Sequence, residues 1–252
     1  MTESAARRTY RTPPIEEALV EFRFVPAQEW DLTIPGKLHQ HPAIGPQYPG
    51  KPRTQKVVEA ELQAGPGQPP NFAVREGLGR IQLVSEDGRR LISLGTDLLS
   101  VNILRPYSGW EEFRPRIEAA LRAYAEVVAP KAVARVGVRY INRILLAGTE
   151  LDLAAYFRCG PTTPPGLPER MAGFVSRVEY AYDDGAKLLL MHARLGASAG
   201  SAFLLDLDVI WEGLESLPMN RVMSIVDDLH EREGQAFEAA ITDKTRAVFD
   251  DA

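Results

Sequence analysis

Apolar and polar residues alternate along several short segments of this chain. In one of them, residues 15–25, every second position from Ala18 to Phe24 is apolar, and Glu21 and Arg23 lie between these apolar positions. Because successive side chains of a strand point to opposite sides, this pattern predicts a strand with one buried and one polar face. The same argument predicts strands at about 57–63, 79–86, 90–95, 98–104, 133–146, 174–183, 187–195 and 203–211.

Two longer segments instead carry apolar residues at intervals of three to four. This period predicts amphipathic helices at about 109–129 and 219–242. Ser108 and Glu111 resemble a capping box at the start of the first of these helices, whereas Pro115 favours a regular helix that begins only near residue 114. Shorter helices are expected at about 33–40 and 150–157.

The predicted elements follow a similar order in the two halves of the chain. Residues 13–130 and 131–249 each read as a strand, a helix, three or four strands and a second helix. Strands joined by hairpins, with a few long helices, are typical of α+β proteins with antiparallel sheets. We expect an α+β fold in which the two halves form one compact unit, saddle-like or helix-grip-like, with the long helices on one face. Residues 1–12 are expected to be disordered.

One predicted strand is unusually cationic. Its alternation places Arg135, Arg139 and Arg143 in one row, opposite a row of apolar residues. Arginine binds phosphate and carboxylate groups through two parallel hydrogen bonds, so this row is a candidate ligand site. If the two halves lie side by side, Glu21 and Arg23 come close to the row, and internal ion pairs use part of its charge.

Other polar positions extend this candidate ligand site. His192 and Arg194 share a row on a later predicted strand, and His192 is the best candidate for a general base. No phosphate-binding loop, dinucleotide-binding glycine motif, nucleophile elbow or zinc-protease helix motif occurs in the sequence. No cofactor is therefore evident from sequence motifs.

Paired carboxylates provide the one indication of a metal site. Carboxylates two residues apart on a strand point the same way and can share a Mg²⁺ ion. The candidate ligands are Glu59, Glu61, Asp206 and Asp208. Mg²⁺ is thus expected only if these four side chains meet in the fold.

Composition narrows the classes of function. Of the 252 residues, 45% are hydrophobic and 25% are charged, as in an ordinary globular protein. The net charge of −5 disfavours non-specific nucleic-acid binding as the main role, although a nucleic-acid partner stays possible. One cysteine allows no disulfide within the chain, and neither a signal-peptide core nor a long apolar segment is present. We therefore expect a cytoplasmic protein without a membrane span.

Four segments of the chain resemble an uncharacterised, sporadically distributed bacterial family of proteins about 250 residues long. They are PPI-x-E with EFRF at 13–24, PYxGWxxF at 106–113, GVRYINR at 137–143, and Leu229-His230 followed by Phe237 and Ile241. The resemblance extends from about residue 12 to 249. Sporadic distribution implies horizontal transfer, which leads us to expect a mobile or defence-linked system. The resemblance brings no activity and no catalytic residues.

Three hypotheses of function follow. The first is a non-enzymatic binding or interaction protein, as a homo-oligomer or a subunit of a larger complex, whose charged sheet face binds an anionic small molecule or a protein partner. The second is a metal-assisted enzyme that acts on a phosphorylated or nucleotide substrate, with the carboxylates as metal ligands and the arginines holding phosphate. The third is a nucleic-acid-binding saddle. Whether the chain is an enzyme stays open at this point.

Overall fold

The computed structural model describes residues 8–25, 30–63, 71–148, 151–168, 171–196 and 200–250, with the main chain alone for 55–63, 71–78 and 214–216. Its strands are β1 (Ile15–Val25), β2 (Arg53–Gln63), β3 (Asn71–Val84), β4 (Arg90–Leu94), β5 (Leu98–Leu104), β6 (Ala132–Leu146), β7 (Val175–Ala181), β8 (Lys187–Leu195) and β9 (Ser201–Leu217). Its α-helices are α1 (Ile34–Gln40), α2 (Trp110–Val128), α3 (Val222–Ala240) and α4 (Asp243–Asp250). Within these ranges, no helix combines the length and the apolar character needed to cross a bilayer.

The described strands form one antiparallel sheet of nine strands in the order β2-β3-β4-β5-β1-β6-β9-β8-β7. The predicted α+β class with an antiparallel sheet is therefore confirmed, and both parts of the chain contribute to the same sheet. β1 and β6 are neighbours at its centre, where Leu19 pairs with Arg139 and Glu21 pairs with Gly137. The arginine strand thus lies directly beside the first strand of the chain.

The two faces of the sheet have different roles. One face carries the buried residues Val20 and Val138, and helices pack on it. Phe24 of β1 stacks on Tyr124 of α2 at a centroid distance of 4.4 Å, which places α2 on this side. The long helix α3 lies on the same side, since its His230 contacts the β6 residue that follows Arg139. We call this side the helix face, and the opposite side, which bears Glu21 and Arg139, the open face.

The helices differ from the predictions in three places. Helix α2 is regular from Trp110 and includes Pro115, and its start has no side-chain cap, so the predicted capping box does not form. Pro115 removes only one main-chain hydrogen bond near the helix start, and burial of Phe113 and Ile117 on either side offsets that loss. The helix predicted at 150–157 is reduced to a 3-10 turn, and α4 is a separate helix that was not predicted.

Residues 8–12 of the N-terminal segment pack against the C-terminal helices. The Tyr10 ring packs against Phe237 and Phe249, at centroid distances of 6.2 and 5.2 Å. The N–H group of Thr12 donates a hydrogen bond to the carbonyl oxygen of Phe249 at 3.0 Å. One aromatic anchor thus holds the described part of this polar segment. The predicted disorder of residues 1–12 stays a prediction, since residues 1–7 lie outside the described residues.

Candidate functional site

The arginine row predicted on β6 lies on the open face of the sheet. Arg135, Arg139 and Arg143 alternate there with residues that are buried on the helix face. The antiparallel neighbours of β6 bring carboxylates to this row, because β1 carries Glu21 and β9 carries a pair of aspartates. The open face therefore combines cations and anions along its centre.

Arg139 forms a two-pronged ion pair with Asp206 across the β6–β9 pairing. The Nε and Nη2 atoms of Arg139 donate to Oδ1 and Oδ2 of Asp206 at 2.8 and 2.6 Å. These hydrogen bonds raise the pKa of Arg139, although burial acts in the opposite direction. The Asp206 side chain is only 7% exposed, compared with 38% for Arg139. The carboxylate of Asp206 therefore depends on Arg139 to replace its lost hydration.

Glu21 is the centre of a second group, which we call the Glu21 cluster and which also contains Arg23, Arg80 and Arg135. Oε1 of Glu21 accepts hydrogen bonds from Arg23 Nε at 3.2 Å and Arg135 Nη1 at 3.0 Å, and Oε2 accepts one from Arg80 Nη1 at 3.3 Å. The Nε atom of Arg135 also lies 3.2 Å from Oε1 of Glu212 on β9. One internal carboxylate thus occupies the position between three guanidinium groups that an external anion would take.

The glycine within the arginine strand makes room for this cluster. Gly137 pairs with Glu21 on β1 and with Ile210 on β9. A Cβ atom on Gly137 would lie 3.3 Å from both Nη atoms of Arg135 and 3.3 Å from Oδ1 of Asp208. These distances are shorter than ordinary van der Waals contacts. The missing side chain therefore allows the Arg135 guanidinium to fold along its own strand towards Glu21.

Asp208 is less well compensated than Asp206. Its Oδ2 atom lies 3.8 Å from Nη2 of Arg135, which is beyond hydrogen-bond distance. Burial raises the pKa of Asp208 to about 6; Arg135 and Arg139 act in the opposite direction, and Asp206 and Glu21 add to the increase. This carboxyl group therefore takes up its proton about two pH units above an ordinary aspartate.

Asp208→Asn should stabilise the protein by about 3 kcal/mol near pH 8 and have little effect near pH 4. A carboxyl group whose pKa is higher in the folded state favours folding only when it is protonated. Its unfavourable contribution is therefore complete above pH 6 and disappears as the pH falls towards 4. Urea unfolding of both proteins across this range measures the effect, and Glu212→Gln, at an exposed position on β9, is the control. A difference that does not change with pH would contradict the explanation.

Arg143 is the exposed member of the arginine row. It pairs with Leu204 on β9, and its main-chain N–H group donates to the carbonyl oxygen of Pro14 at 2.8 Å. The other two arginines of the row already have internal carboxylate partners. The arrangement therefore does not favour the expected anion site, and the described centre of the open face has no continuous cationic stripe for nucleic acid.

His192 and Arg194 lie on the helix face, not beside the arginine row. On β8 they share a row with Leu188 and Leu190, which are buried in the core. The Arg194 guanidinium donates hydrogen bonds within the fold, at 3.1 Å to the carbonyl oxygen of Met171 and at 3.1 Å to a neighbouring serine hydroxyl. The strand period therefore places these two residues on the core side, apart from the arginine row.

His192 is a residue of the apolar core. Its ring is fully buried among Phe157, Phe174 and Phe203, at centroid distances of 4.4, 4.8 and 5.9 Å. Nδ1 donates to the carbonyl oxygen of Cys159 at 3.1 Å. Burial lowers the pKa of His192 to about 4 and raises the pKa of the Cys159 thiol to about 11. Burial therefore favours the neutral form of both groups at neutral pH.

The strand order separates the two carboxylate pairs that suggested a metal site. Glu59 and Glu61 are on the edge strand β2, and their side chains lie outside the described part of the structure. Asp206 and Asp208 are on β9, which is six strand spacings away, or about 29 Å along the sheet. Among the described residues, no group of three or more His, Cys, Asp or Glu side chains could hold a metal ion. Nothing in this arrangement supports a Mg²⁺ site shared by all four residues.

A cavity of about 690 Å³ opens on the helix-face side of the molecule, away from the arginine row. Its walls come from residues 8–15, 107–111 and 227–238 and from Tyr140 and Asn142 of β6. The volume is within the range of sites for small organic molecules. We call this cavity the aromatic pocket. Local sequence patterns do not reveal this pocket, because its walls come from segments that are distant along the chain.

Three hydrogen-bonded side chains form part of the pocket wall. The hydroxyl groups of Tyr107 and Tyr140 lie 2.9 Å apart, and the Tyr140 hydroxyl lies 3.1 Å from Nδ1 of His230. Trp110 stacks on the His230 ring, with centroids 3.7 Å apart and planes inclined by 10°. These contacts hold the aromatic side chains in fixed orientations, so this part of the wall does not have to be ordered by a ligand.

The pocket has an excess of carboxylates. Five carboxylate residues and two arginines line it: Glu111, Asp227, Glu231, Glu233, Glu238, Arg8 and Arg11. Asp227 accepts two hydrogen bonds from Arg114, and Glu238 accepts one from Arg246 at 2.7 Å. Within the described residues, Glu111 and Glu231 form no ion pair. Arg8 pairs with Asp250 at 2.6 Å. In the described lining, Glu111 and Glu231 therefore face one remaining arginine, Arg11, and the balance of charge is negative.

The four segments that carry the family resemblance all contribute to this pocket. Their contributions are Pro13, Pro14 and Ile15, then Tyr107, Gly109 and Trp110, then Tyr140 and Asn142, and finally His230 and Phe237. They share this location even though they come from four different parts of the chain. Comparison with protein-family models finds no family that matches the chain, and comparison with curated proteins finds no matching sequence.

Proposed function

We propose that this protein is a binding protein that holds a small organic cation in the aromatic pocket. The observation that carries the proposal is a partly preformed cavity of about 690 Å³ in which aromatic rings and carboxylates converge. The proposal keeps the non-enzymatic binding role expected from the sequence. It moves the site away from the arginine row, because Arg135 and Arg139 already have carboxylate partners within the fold.

The pocket has the chemistry that an organic cation requires. Aromatic faces attract cations, and indole rings do so most strongly, which gives Trp110 a direct role. The carboxylates of Glu111 and Glu231 can balance the charge of an amine. The hydroxyl groups of Tyr107 and Tyr140 supply polar atoms beside the aromatic walls.

Thermal-shift and calorimetric measurements with matched amines and acids test this proposal. Tryptamine, spermidine and choline form the cationic set, and indole-3-acetate carries the ring of tryptamine with the opposite charge. We expect members of the cationic set to bind and to stabilise the protein, by about 2.7 kcal/mol at a hundredfold excess over Kd. Indole-3-acetate should not bind. Binding of the acid in preference to the amines would overturn the proposal.

Two pairs of variants locate the binding of the amine within the pocket. Glu111→Gln should weaken it about fivefold, because one lining charge is lost, whereas Glu112→Gln changes the neighbouring residue outside the pocket and should have no effect. Trp110→Leu should weaken binding at least tenfold, and Trp110→Phe should retain most of it. Thermal unfolding without ligand serves as the control for folding. Equal effects of the two glutamine variants would place the ligand elsewhere.

We also propose that the sheet arose from an internal duplication that produces a saddle-like arrangement. The strand order supports this idea, because β1 and β6 are central neighbours and each is flanked by the last strand of its own half, β5 or β9. The preceding strands of each half follow outward in reverse order, and a long helix, α2 or α3, follows the last strand of each half. A two-fold relation between the halves would exchange β1 with β6 and α2 with α3.

A further inference from the structure

The last strand of the sheet, β7, has a free edge in the described structure. It pairs with β8 on one side and stands at the end of the strand order. Most of its residues are exposed, including Val175 at 74%, Val178 at 38% and Tyr180 at 49%. An exposed edge strand that carries apolar residues readily pairs with another strand.

Hydrogen bonds near the two ends of β7 show which main-chain groups point to this free edge. The carbonyl oxygen of Phe174 accepts from the N–H group of Arg194 at 3.1 Å, and the N–H group of Tyr182 donates to the carbonyl oxygen of Ala186 at 2.8 Å. Even-numbered residues of this segment therefore face β8, since inward and outward positions alternate in an antiparallel pair. The outward main-chain groups belong to Val175, Arg177, Glu179 and Ala181.

We propose that two copies of this chain pair through β7, antiparallel, about a two-fold axis at Val178. In this register Arg177 lies opposite Glu179 of the partner subunit, and symmetry repeats the pair on the other side of the axis. Both residues have outward main-chain groups, so the two pairs are also joined by main-chain hydrogen bonds. Val178 meets Val178 of the partner subunit and covers its exposed apolar surface.

The charges of β7 favour a two-fold axis at Val178 over axes shifted by one residue in either direction. An axis at Arg177 would place two arginines directly opposite each other, and an axis at Glu179 would do the same for two glutamates, which is unfavourable. Val178 is the midpoint of the seven-residue strand, so the proposed register pairs the strand along its whole length. Lys187 lies 3.3 Å from Glu179, but this pair is about half exposed and contributes little by itself.

The consequence is a sheet that continues from one copy of the chain into the next. Such an interface uses a surface identical on both copies, as expected for a two-fold dimer. It is independent of the proposed ligand site, because a single chain supplies all the walls of the aromatic pocket. Failure of one proposal therefore leaves the other standing.

Sedimentation equilibrium with charge-reversal variants tests the register. The wild-type protein should show a monomer–dimer equilibrium. Arg177→Glu and Glu179→Arg should each weaken the dimer by about tenfold or more, because each creates two like-charge contacts. The double variant Arg177→Glu with Glu179→Arg should return to within about threefold of the wild type, since it restores opposite charges. Arg122→Glu, at an exposed position on α2, is the matched control. A monomer at every concentration, or a double variant as weak as the singles, would overturn the proposal.

Disulfide trapping provides an independent measurement of the same register. Val178 and Val178 of the partner subunit would face each other without main-chain hydrogen bonds between them. The Cβ atoms of directly opposite residues in such a pair are about 4.5–5.5 Å apart. Val178→Cys should therefore form a covalent dimer on mild oxidation. Tyr180→Cys lies opposite Ser176 of the partner subunit and should not. The wild-type protein, with Cys159 as its single cysteine, gives the background. Cross-linking at position 180 without cross-linking at 178 would exclude this register.

Discussion

Arg139→Met should lower the free energy of unfolding by about 3 kcal/mol at pH 7, because it leaves a buried carboxylate without its cation. Asp206 accepts both hydrogen bonds of the Arg139 guanidinium and is only 7% exposed. Methionine retains most of the aliphatic stem, so the loss reports mainly the missing charge and its hydrogen bonds. Chemical denaturation at pH 7 measures this change.

Two further variants separate the cost of an unpaired charge from the value of the pair. Arg139→Met combined with Asp206→Leu should recover most of the lost stability, because apolar residues of similar size can replace a buried ion pair at little cost. Arg143→Met, on the same row of β6 but exposed, should change stability by less than about 0.5 kcal/mol. If the double variant were no more stable than Arg139→Met, desolvation of Asp206 would not be the cause.

Glu21→Ala should lower the free energy of unfolding by about 2–3 kcal/mol, because three guanidinium groups lose their common carboxylate. The variant should also acquire an anion site, since Arg23, Arg80 and Arg135 would surround an empty position. Sulfate is therefore expected to restore part of the stability. Unfolding experiments with sodium sulfate and with sodium chloride at equal ionic strength separate binding from screening.

The same experiment decides whether the arginine row serves an external anion in the native protein. The wild-type protein should gain no more from sulfate than from chloride, because Glu21 already fills the position between the guanidinium groups. Glu16→Ala is the matched control, since Glu16 lies on the same strand and contacts a single, exposed arginine, Arg105, at 3.1 Å. A specific gain from sulfate in the wild type, equal to that of Glu21→Ala, would return the ligand site to the arginine row.

Local patterns predicted most of the strands and the direction of their side chains. The alternation on β1 and β6 correctly separated Val20 and Val138 from Glu21 and Arg139. The same reasoning misassigned His192, because it grouped the polar residues of β8 without counting their spacing from Leu188. Residue polarity is a weaker guide to the buried face than position in the strand period, since a core can hold a neutral histidine with one hydrogen bond.

The candidate sites depended far more on long-range structure. The carboxylates that neutralise the arginine row come from strands far apart in sequence, and only Glu21 was placed near it in advance. The spacing within the two carboxylate pairs predicted one shared metal site. The strand order instead places the pairs on β2 and β9, six strand spacings apart. In the same way, the tyrosines, Trp110 and His230 had no visible relation before the chain folded.

The sequence by itself determined the α+β class, the antiparallel strands and the row of arginines on β6, because side-chain periodicity is a local property of the backbone. Tertiary structure alone decided which partners these arginines have. It paired β6 with β1 and β9, so that Arg135 and Arg139 became internal ion-pair partners, and it brought four distant segments together as the aromatic pocket. The physical reason is that charge compensation and cavity shape depend on contacts between residues far apart in the chain, which no local pattern encodes.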